Sequence, residues 1–456
     1  MTTVPRLVVG AVQGRSGKTT VTAAVIAAMR RRGLPVQAFK KGPDFIDPGW
    51  LGRVSGRPCR NLDPFLMDPA TILASFGTHV AGAAVAVIEG AMGLFDGVDL
   101  VGSGSTAQLA RVLRAPVILV INAARMTRSA AAVVLGCRAL DPELSLAGVI
   151  FNNVARPRHE RMLRQSVEYY TGARVLGAVP RKRAFNIPDR HLGLVPAGED
   201  ERLLASLEAL AAEGETYLDL EGLLGVAGAA PPLDIPERPL YPPAEAAGVT
   251  VGIFLDRAFS FYYPENLEAL EAAGARLVPI DALHGEMPPV DALYIGGGFP
   301  EVLAGELEAN ASLREAVRRG VAAGLPVYAE CGGLMYLGRS LTWRGRTYRM
   351  SGALPFDVDL DERPCGHGYM VLEVVEENPF LPCGLSIRGH EFHHSRLSNL
   401  SREEVRFAYR VRRGYGIDGR RDGLLYRNVL ASYNHLHALA TPDWAPRLVR
   451  RAAGRA

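Results

Sequence analysis

The residues whose types and spacing could do chemistry form two groups, and the first is the stretch GAVQGRSGKTT near the start of the chain. A glycine-rich turn that leads from a strand into a helix presents backbone N–H groups and the positive end of the helix dipole to a phosphate. The predicted ATP-binding residues are Gly14, Ser16, Gly17, Lys18, Thr19 and Thr20. Val12 stands where the strict P-loop pattern has glycine, so a turn that only joins strand to helix remains the alternative.

Carboxylates that suit a metal ion follow two other apolar runs. Asp44 comes just after PVQAFK, and Glu89 ends AAVAVIEG. In a doubly wound sheet, both strand ends lie at the edge that carries the phosphate loop. The predicted Mg²⁺ ligands are therefore Thr19, Asp44 and Glu89. Weaker candidates, for contacts with a substrate, are Lys41, Asp47 and Asp96, with helix capping or turn formation as the alternative for the aspartates.

The second group is centred on YAECGGLMYLG. An apolar strand, a tight turn and a helix would lift the Cys331 sulfur to the sheet edge and point the following N–H groups at it, as in a nucleophile elbow. ASYNHLH supplies His435 as the candidate catalytic base, and the N–H groups of Gly298 and Gly332 are the candidate oxyanion hole. A zinc site made by Cys331, His435 and His437 is the alternative.

The apolar runs around these groups predict the elements that position them. In the first half, RLVVGAV, PVQAFK, AAVAVIEG, APVILVINA, AGVIFNNV and ARVLGAVP are typical of strands buried on both faces. In the second half, VTVGIFLD, ARLVPID, DALYIGGGFPE and LPVYAECGG continue the strand-and-helix pattern, before segments typical of antiparallel hairpins. The sequence thus predicts an α/β protein with two doubly wound domains, a P-loop-type, mainly parallel sheet followed by a mixed sheet.

The proline-rich stretch GAAPPLDIPERPLYPP resists both regular elements and marks a linker. The expected division is a nucleotide-binding domain at 1–197, a helical segment with the linker at 198–247, the cysteine-bearing domain at 248–441 and a tail at 442–456.

Composition narrows the class of protein. Of the 456 residues, 48% are hydrophobic and 22% charged, as in ordinary globular proteins. A net charge of +3 gives no reason to expect a nucleic-acid partner. The N-terminal residues leave no room for a secretion signal and no apolar run reaches membrane-spanning length, so we expect a cytoplasmic protein without a membrane partner.

The oligomeric state stays open, with a homodimer among the states considered. The remaining cysteines are expected to be ordinary buried residues: Cys59, Cys137, Cys365 and Cys383.

Several motifs carry a family resemblance. ALYIGGGFPE, VYAECGGLMYLG, GHEFHHS and ASYNHLH together resemble the class I glutamine amidotransferase domain of the cobyrinate a,c-diamide synthase family. In the first half, SGKTT, FKKGPDFIDPGW, IEGAMGLFDG and AGVIFNNV resemble the ATP-dependent amidoligase domain of the same family, which is similar to dethiobiotin synthetase. The resemblance covers nearly the whole chain apart from the linker.

The resemblance implies an ATP- and glutamine-dependent amidation of the a- and c-carboxylates of cobyrinate. It implies that Cys331 attacks the glutamine side-chain amide and that His435 is its base. ATP with Mg²⁺ would convert a peripheral carboxylate of the tetrapyrrole into an acyl phosphate, which ammonia then attacks. Many class I amidotransferases carry an acid two residues after the histidine; His437 stands there instead, so the third member of the triad is open. His394 is a weaker candidate for binding the acidic rim of the macrocycle, with internal hydrogen bonding as the alternative.

Two other functions stay open at this point. FKKGPDFIDPGW has a second lysine where the corrinoid enzymes of the family usually have valine, and NAARMTRSAAAVVLG resembles siroheme-amidating relatives more closely. This leaves the same a,c-diamidation on siroheme or a sirohydrochlorin derivative as an alternative. A P-loop regulatory or partition ATPase with a non-catalytic glutaminase-like module is the remote alternative.

Overall fold

The computed structural model describes residues 3–181, 200–243 and 248–454, without the side chains of 200–206. These residues fall into two compact units, with the division between Arg238 and Pro239. The predicted boundary at 197/198 and the predicted end of the linker at 247 lie outside the described residues.

A seven-stranded sheet forms the centre of the first unit. Its strands are β1 (Arg6–Gly10), β2 (Val36–Lys41), β3 (Arg60–Leu62), β4 (Val85–Glu89), β5 (Val117–Asn122), β6 (Leu146–Val154) and β7 (Val175–Pro180). They run parallel in the order β3-β2-β4-β1-β5-β6-β7. The apolar runs predicted as strands form six of them, whereas β3 is too short to show a period.

The helices of the first unit are α1 (Lys18–Arg31), α2 (Ile46–Ser55), α3 (Pro69–His79), α4 (Thr106–Val112), α5 (Ser129–Leu140), α6 (Pro157–Thr171), α7 (Asp200–Tyr217) and α8 (Leu220–Gly228). The buried face of α1 shares one apolar core with Leu210 of α7 and with Leu220 and Leu223 of α8. These two helices, which lie in the segment expected to join the domains, therefore complete the core of the first unit.

A ten-stranded sheet dominates the second unit. The strands of the unit are β8 (Val249–Phe254), β9 (Phe259–Phe261), β10 (Ala275–Ile280), β11 (Ala292–Ile295), β12 (Gly297–Gly298), β13 (Val327–Glu330), β14 (Ser340–Trp343), β15 (Arg346–Arg349), β16 (Asp357–Leu360), β17 (Gly366–Val374), β18 (Ser386–His393), β19 (Ser395–Ser398), β20 (Arg406–Arg413), β21 (Arg421–Tyr426), β22 (Val429–Ser432) and β23 (His435–Leu436). The order is β10-β8-β11-β13-β22-β21-β20-β17-β18-β23, with β12-β9 and β15-β14-β16-β19 as smaller sheets.

The large sheet is parallel from β10 to β22 and antiparallel from there on. Its helices are α9 (Pro264–Ala272), α10 (Ala304–Ala309), α11 (Ala311–Ala322), α12 (Gly332–Leu337) and α13 (Trp444–Ala452). Leu293 and Ile295 join one apolar core and Tyr294 joins another, because successive strand residues face opposite sides of a sheet. The predicted fold class, α/β with a parallel first sheet and a mixed second sheet, is confirmed.

The segment predicted as a C-terminal tail contains α13. Trp444 at its start is fully buried, with its ring 5.2 Å from that of Tyr294 and 5.1 Å from that of Tyr328. This helix therefore belongs to the core of the second unit. Within the described ranges, no helix has the length and apolar character needed to cross a membrane.

Candidate active site

The phosphate loop joins β1 to α1 and is held from the side by β6. Gly17 has a φ of 90°, a left-handed conformation that glycine adopts without strain. A Cβ at Gly17 would stand 1.9 Å from the Asn152 side-chain nitrogen, so no other residue fits without movement. That same nitrogen donates to the Ser16 carbonyl at 3.0 Å. Asn152, which sequence reasoning missed, thus positions the loop from which the first N–H groups of α1 emerge.

The Lys18 side chain lies along this loop. Its Nζ donates to the Met92 carbonyl at 2.7 Å and to the Gln13 carbonyl at 3.3 Å. Burial, followed by the charge of Lys40, lowers the Lys18 pKa. The Ser16 hydroxyl also donates to the Gln13 carbonyl, at 3.0 Å. Both side chains therefore donate hydrogen bonds to uncharged backbone carbonyls. An anionic phosphate is a better acceptor for the Lys18 ammonium and can replace these carbonyls.

Three carboxylates surround one buried ammonium at the carboxyl ends of β2 and β4. Lys40 Nζ lies 2.5 Å from Asp47 Oδ2, 2.9 Å from Glu89 Oε1 and 3.8 Å from Asp44 Oδ2. Burial opposes the charge of Lys40, but Glu89 and then Asp47 hold its pKa above the ordinary value. Burial raises the pKa of Glu89 to about 7 and that of Asp44 to about 6. The cluster is thus a partly neutralised set of charges beside the phosphate loop.

The oxygen atoms of this cluster fit a magnesium ion. The Thr19 hydroxyl donates to Glu89 Oε1 at 2.7 Å, while the buried Glu89 Oε2 has no hydrogen-bond partner among the described residues. A hydroxyl and carboxylates are the hard donors that Mg²⁺ prefers. Over the part of the chain that is described, no three His, Cys, Asp or Glu side chains are close enough together to coordinate a metal ion as they stand. Lys40 takes the central position among the predicted ligands instead.

The weaker substrate candidates lie in different surroundings. Asp47 belongs to the Lys40 cluster. Lys41 is buried, and burial lowers its pKa, with Asp63 acting in the opposite direction. Asp96 accepts a hydrogen bond from the Gly93 N–H at 3.0 Å, the turn role weighed as its alternative. His394 is half-buried, with its ring edge-on to Phe392 at 5.5 Å.

Cys331 lies at a strained turn between β13 and α12. Its φ of 48° and ψ of −98° are unusual for a residue with a side chain. The Cys331 N–H donates to the Ser432 carbonyl at 2.7 Å, and the Gly333 N–H donates to the Gly296 carbonyl at 3.0 Å. A Cβ at Gly333 would come within 2.3 Å of the Ile295 carbonyl oxygen. The backbone therefore fixes the turn on both sides of the cysteine.

The Cys331 thiol is held in its neutral form. Burial, followed by the charge of Glu301, keeps its pKa well above the ordinary value, against a smaller opposing effect of the Gly332 N–H. The sulfur lies 3.8 Å from the Phe392 carbonyl oxygen, which can only accept a hydrogen bond. A thiol in this environment becomes a nucleophile only when a base takes its proton.

Gly296, Gly297 and Gly298 form a glycine loop that lies next to both the cysteine turn and His435. A Cβ at Gly332 would stand 3.1 Å from the Gly298 nitrogen, so the two predicted oxyanion residues are neighbours. A Cβ at Gly297 would stand 2.5 Å from His435 Cε1. The absence of side chains on this loop thus leaves room for the imidazole beside the predicted oxyanion hole.

Two histidines in ASYNHLH face two different buried carboxylates. His435 Nδ1 lies 3.4 Å from Glu330 Oε2, and His437 Nε2 lies 3.8 Å from Glu265 Oε2. All four side chains are at most 2% exposed. Sequence reasoning missed both carboxylates; Glu330 directly precedes the cysteine in AECGG, whereas nothing around Glu265 marked it. No three-residue metal site occurs among the described residues, so the zinc alternative gains no support.

A further buried carboxylate fixes the turn before His435. Asp422 accepts hydrogen bonds from the N–H groups of Tyr433 and Asn434, each at 3.1 Å. Burial raises the Asp422 pKa to about 7 despite these bonds. The turn that leads from β22 into β23 is therefore anchored from β21, a contact no sequence signal predicted.

Comparison with known proteins assigns the two halves of the chain to families. Residues 7–195 match the CobQ/CobB/MinD/ParA nucleotide binding domain, and residues 250–443 match the CobB/CobQ-like glutamine amidotransferase domain. A cobyrinate a,c-diamide synthase from Magnetococcus marinus is 46% identical over 98% of this chain and 97% of its own length. Enzymes of the same name from Archaeoglobus fulgidus and Methanothermobacter thermautotrophicus are 43% and 41% identical, each over 98% of this chain and 98% and 99% of their own lengths.

The resemblance stated from the motifs is therefore confirmed along nearly the full length of the sequence. The chain belongs to the cobyrinate a,c-diamide synthase family.

Proposed function

We propose that the protein amidates the a- and c-carboxylates of cobyrinate with ATP and glutamine as co-substrates. The observation that carries the proposal is the 46% identity over 98% of the chain to a relative of that name. Both sequence motifs lie in sites that suit the reaction, which supports the proposal. The phosphate loop lies beside the Glu89 carboxylate, and the cysteine turn shares a neighbouring glycine loop with His435.

In the second unit, we assign the nucleophile to Cys331 and the base to His435. The thiol proton passes to the imidazole as sulfur bonds to the glutamine amide carbon, and the carbonyl electrons move onto oxygen. The N–H groups of Gly298 and Gly332 would stabilise that oxyanion. When the C–N bond breaks, the imidazolium returns the proton to the leaving nitrogen and ammonia is released. Water then hydrolyses the thioester to glutamate.

In the first unit, the phosphate loop would bind ATP with Lys18 at the terminal phosphates. Thr19, Glu89 and Asp44 would hold Mg²⁺, whose charge would stabilise the phosphoryl group during transfer. A carboxylate oxygen of the macrocycle attacks the γ-phosphorus and ADP leaves. Ammonia then attacks the acyl phosphate, and inorganic phosphate leaves as the amide forms. Lys41, Asp47, Asp96 and His394 are the weaker candidates for substrate contacts.

The test is to incubate the purified protein with ATP, Mg²⁺ and glutamine and, in parallel, with cobyrinate or siroheme. Mass spectrometry should show two amide groups on cobyrinate and none on siroheme. Amidation of siroheme alone would overturn the choice of macrocycle, and ATP hydrolysis without any amidation would favour a regulatory ATPase. None of the three relatives described above is named for either alternative.

The proposal extends to a cytoplasmic enzyme. Fractionation of cells that produce the protein checks the compartment. Light scattering coupled to size-exclusion chromatography checks whether it is a homodimer.

A further inference from the structure

We propose that Glu330 is the positioning residue of the glutaminase site, taking the part of the acid that the sequence lacks two residues after His435. The inference rests on the proposed roles of Cys331 and His435. Glu330 would accept a hydrogen bond from His435 Nδ1–H, so that the lone pair of Nε2 is available to take the thiol proton. A carboxylate in this role also stabilises the imidazolium that forms during the reaction.

The first support is the geometry around the carboxylate. His435 Nδ1 lies 3.4 Å from Glu330 Oε2, and the two side chains are 2% and 1% exposed. The Leu436 N–H donates to Glu330 Oε1 at 3.1 Å, and the Tyr294 hydroxyl donates to Oε2 at 3.2 Å. Donors therefore fix both oxygens, and the residue next to the histidine holds the carboxylate in register with it.

The second support is the direction of the imidazole. Its Cε1 and Nε2 lie 2.5 Å and 3.3 Å from the position of a Cβ on Gly297, while Nδ1 lies near Glu330. The ring thus turns Nε2 toward the glycine loop, where Gly298 is a neighbour of Gly332. The edge of the ring that carries Nε2 therefore lies beside Gly297, the residue before Gly298, and away from the carboxylate.

The third support is that His437 is occupied elsewhere. The Leu439 N–H donates to His437 Nδ1 at 3.2 Å, so the proton of the neutral ring is on Nε2, which faces Glu265 at 3.8 Å. His437 therefore does not orient His435. Glu330 is the carboxylate in ion-pair range of His435 among the described residues.

A stacked neighbour completes the surroundings. The His390 ring stacks on the His435 ring at 4.9 Å between centroids and an angle of 24°. Burial, followed by repulsion from His435, holds the His390 pKa well below its ordinary value. His390 is therefore neutral and adds no positive charge beside the imidazolium, and Glu330 lies within ion-pair distance of that imidazolium.

The first experiment compares Glu330→Gln with Glu265→Gln, the same change beside the other histidine. For Glu330→Gln, kcat for glutamate release should fall at least about tenfold, and toward 10⁴-fold if the wrong tautomer dominates, with KM for glutamine within about threefold. Glu330→Asp should recover part of the loss. Glu265→Gln should stay within about threefold of the parent.

Amidation driven by added ammonium chloride is measured beside glutamate release. Ammonia-driven amidation should persist in Glu330→Gln, since it does not need the cysteine site. Glutamate release within threefold of the parent, or an equal loss in Glu265→Gln, would overturn the inference. Absence of amidation with ammonia in the parent protein would instead count against the proposed function, which keeps the two failures distinct.

A second measurement needs no change at Glu330. Nitrogen NMR spectra of the parent protein report which ring nitrogen of each histidine carries the proton, and the signal missing in His435→Gln identifies His435. A proton on Nδ1 is the expected result. A proton on Nε2 in the neutral ring would overturn the inference even if Glu330→Gln fails to fold.

Discussion

The phosphate site of the first unit and the cysteine site of the second unit differ in the charge of the group at the centre of each site. At the phosphate site, the buried Lys40 ammonium faces the buried Glu89 carboxylate and the partly exposed carboxylates of Asp44 and Asp47, so charges of both signs lie together. At the cysteine site, the Cys331 thiol, the proposed nucleophile, is held neutral by burial, and the predicted oxyanion hole consists of backbone N–H groups.

The difference follows from what each site must do. ATP carries several negative charges. At a site that already contains charged groups, contacts between Lys40 and its carboxylates can be exchanged for contacts with the phosphates of ATP. Glutamine is a neutral amide at its reacting end, so charge appears only during the reaction and is best met by preorganised dipoles. The comparison predicts that the two regions respond differently to the same kinds of substitution.

Removing the thiol should have the largest effect, because it should abolish the activity of the cysteine site and leave that of the phosphate site unchanged. Cys331→Ala is expected to lower glutamine-dependent amidation by about 10⁴-fold or more, because no other group replaces the nucleophile. Amidation with ammonia should persist. Cys59→Ala, a change at another buried thiol, is the control and should leave both activities intact. Equal loss of both activities in Cys331→Ala would show that the sites are not separable in this way.

Removing the buried ammonium should be the next largest effect. Lys40→Met leaves Glu89 and Asp47 facing each other without compensation, which is expected to cost about 3–5 kcal/mol and to lower the melting temperature of the first unit by about 10 °C. Scanning calorimetry measures this. The double change Lys40→Met with Glu89→Gln should recover part of the loss. An unchanged melting temperature in Lys40→Met would contradict charge compensation at the phosphate site.

A single methyl group tests the backbone preorganisation of the cysteine site. In Gly333→Ala the new Cβ would meet the Ile295 carbonyl oxygen at 2.3 Å, so the turn must move. We expect a loss of about 1–3 kcal/mol in stability and at least about a tenfold drop in glutamine hydrolysis. Gly305→Ala in α10, whose Cβ would make an ordinary 3.7 Å contact, is the matched control. Full activity in Gly333→Ala would mean that the turn geometry is not needed.

The smallest expected effect concerns the charge near the thiol. Burial raises the Glu301 pKa to about 7, so this carboxyl becomes negative above that pH and then raises the Cys331 pKa. In Glu301→Gln, alkylation of Cys331 by iodoacetamide should become a few-fold faster at about pH 8 and stay unchanged at about pH 6. Glu315→Gln, on the exposed face of α11, is the control. An equal gain at both pH values would rule out titration of Glu301 as the cause.

The sequence predicted the strands and both chemical motifs because these signals are local. RLVVGAV and the other apolar runs became parallel strands, and the turn in AECGG became the bend at Cys331. Asn152 and Glu265 escaped prediction because their partners, Ser16 and His437, are far away in the chain. Asp422 escaped prediction because its contact with Tyr433 depends on how β21 and β22 pair. Glu330 was quoted beside the cysteine but not weighed, because its relation to His435 depends on how β13 and β22 pair.

The pairing of β13 with β22 has a consequence for thermal behaviour. Glu330 is paired with Ser432, and the Cys331 N–H continues the ladder with a 2.7 Å bond to the Ser432 carbonyl, between β11 on one side and β21 on the other. Hydrogen exchange at this amide should require separation of the central strands. Glutaminase activity on warming should therefore disappear together with the cooperative melting of the second unit, and not before it.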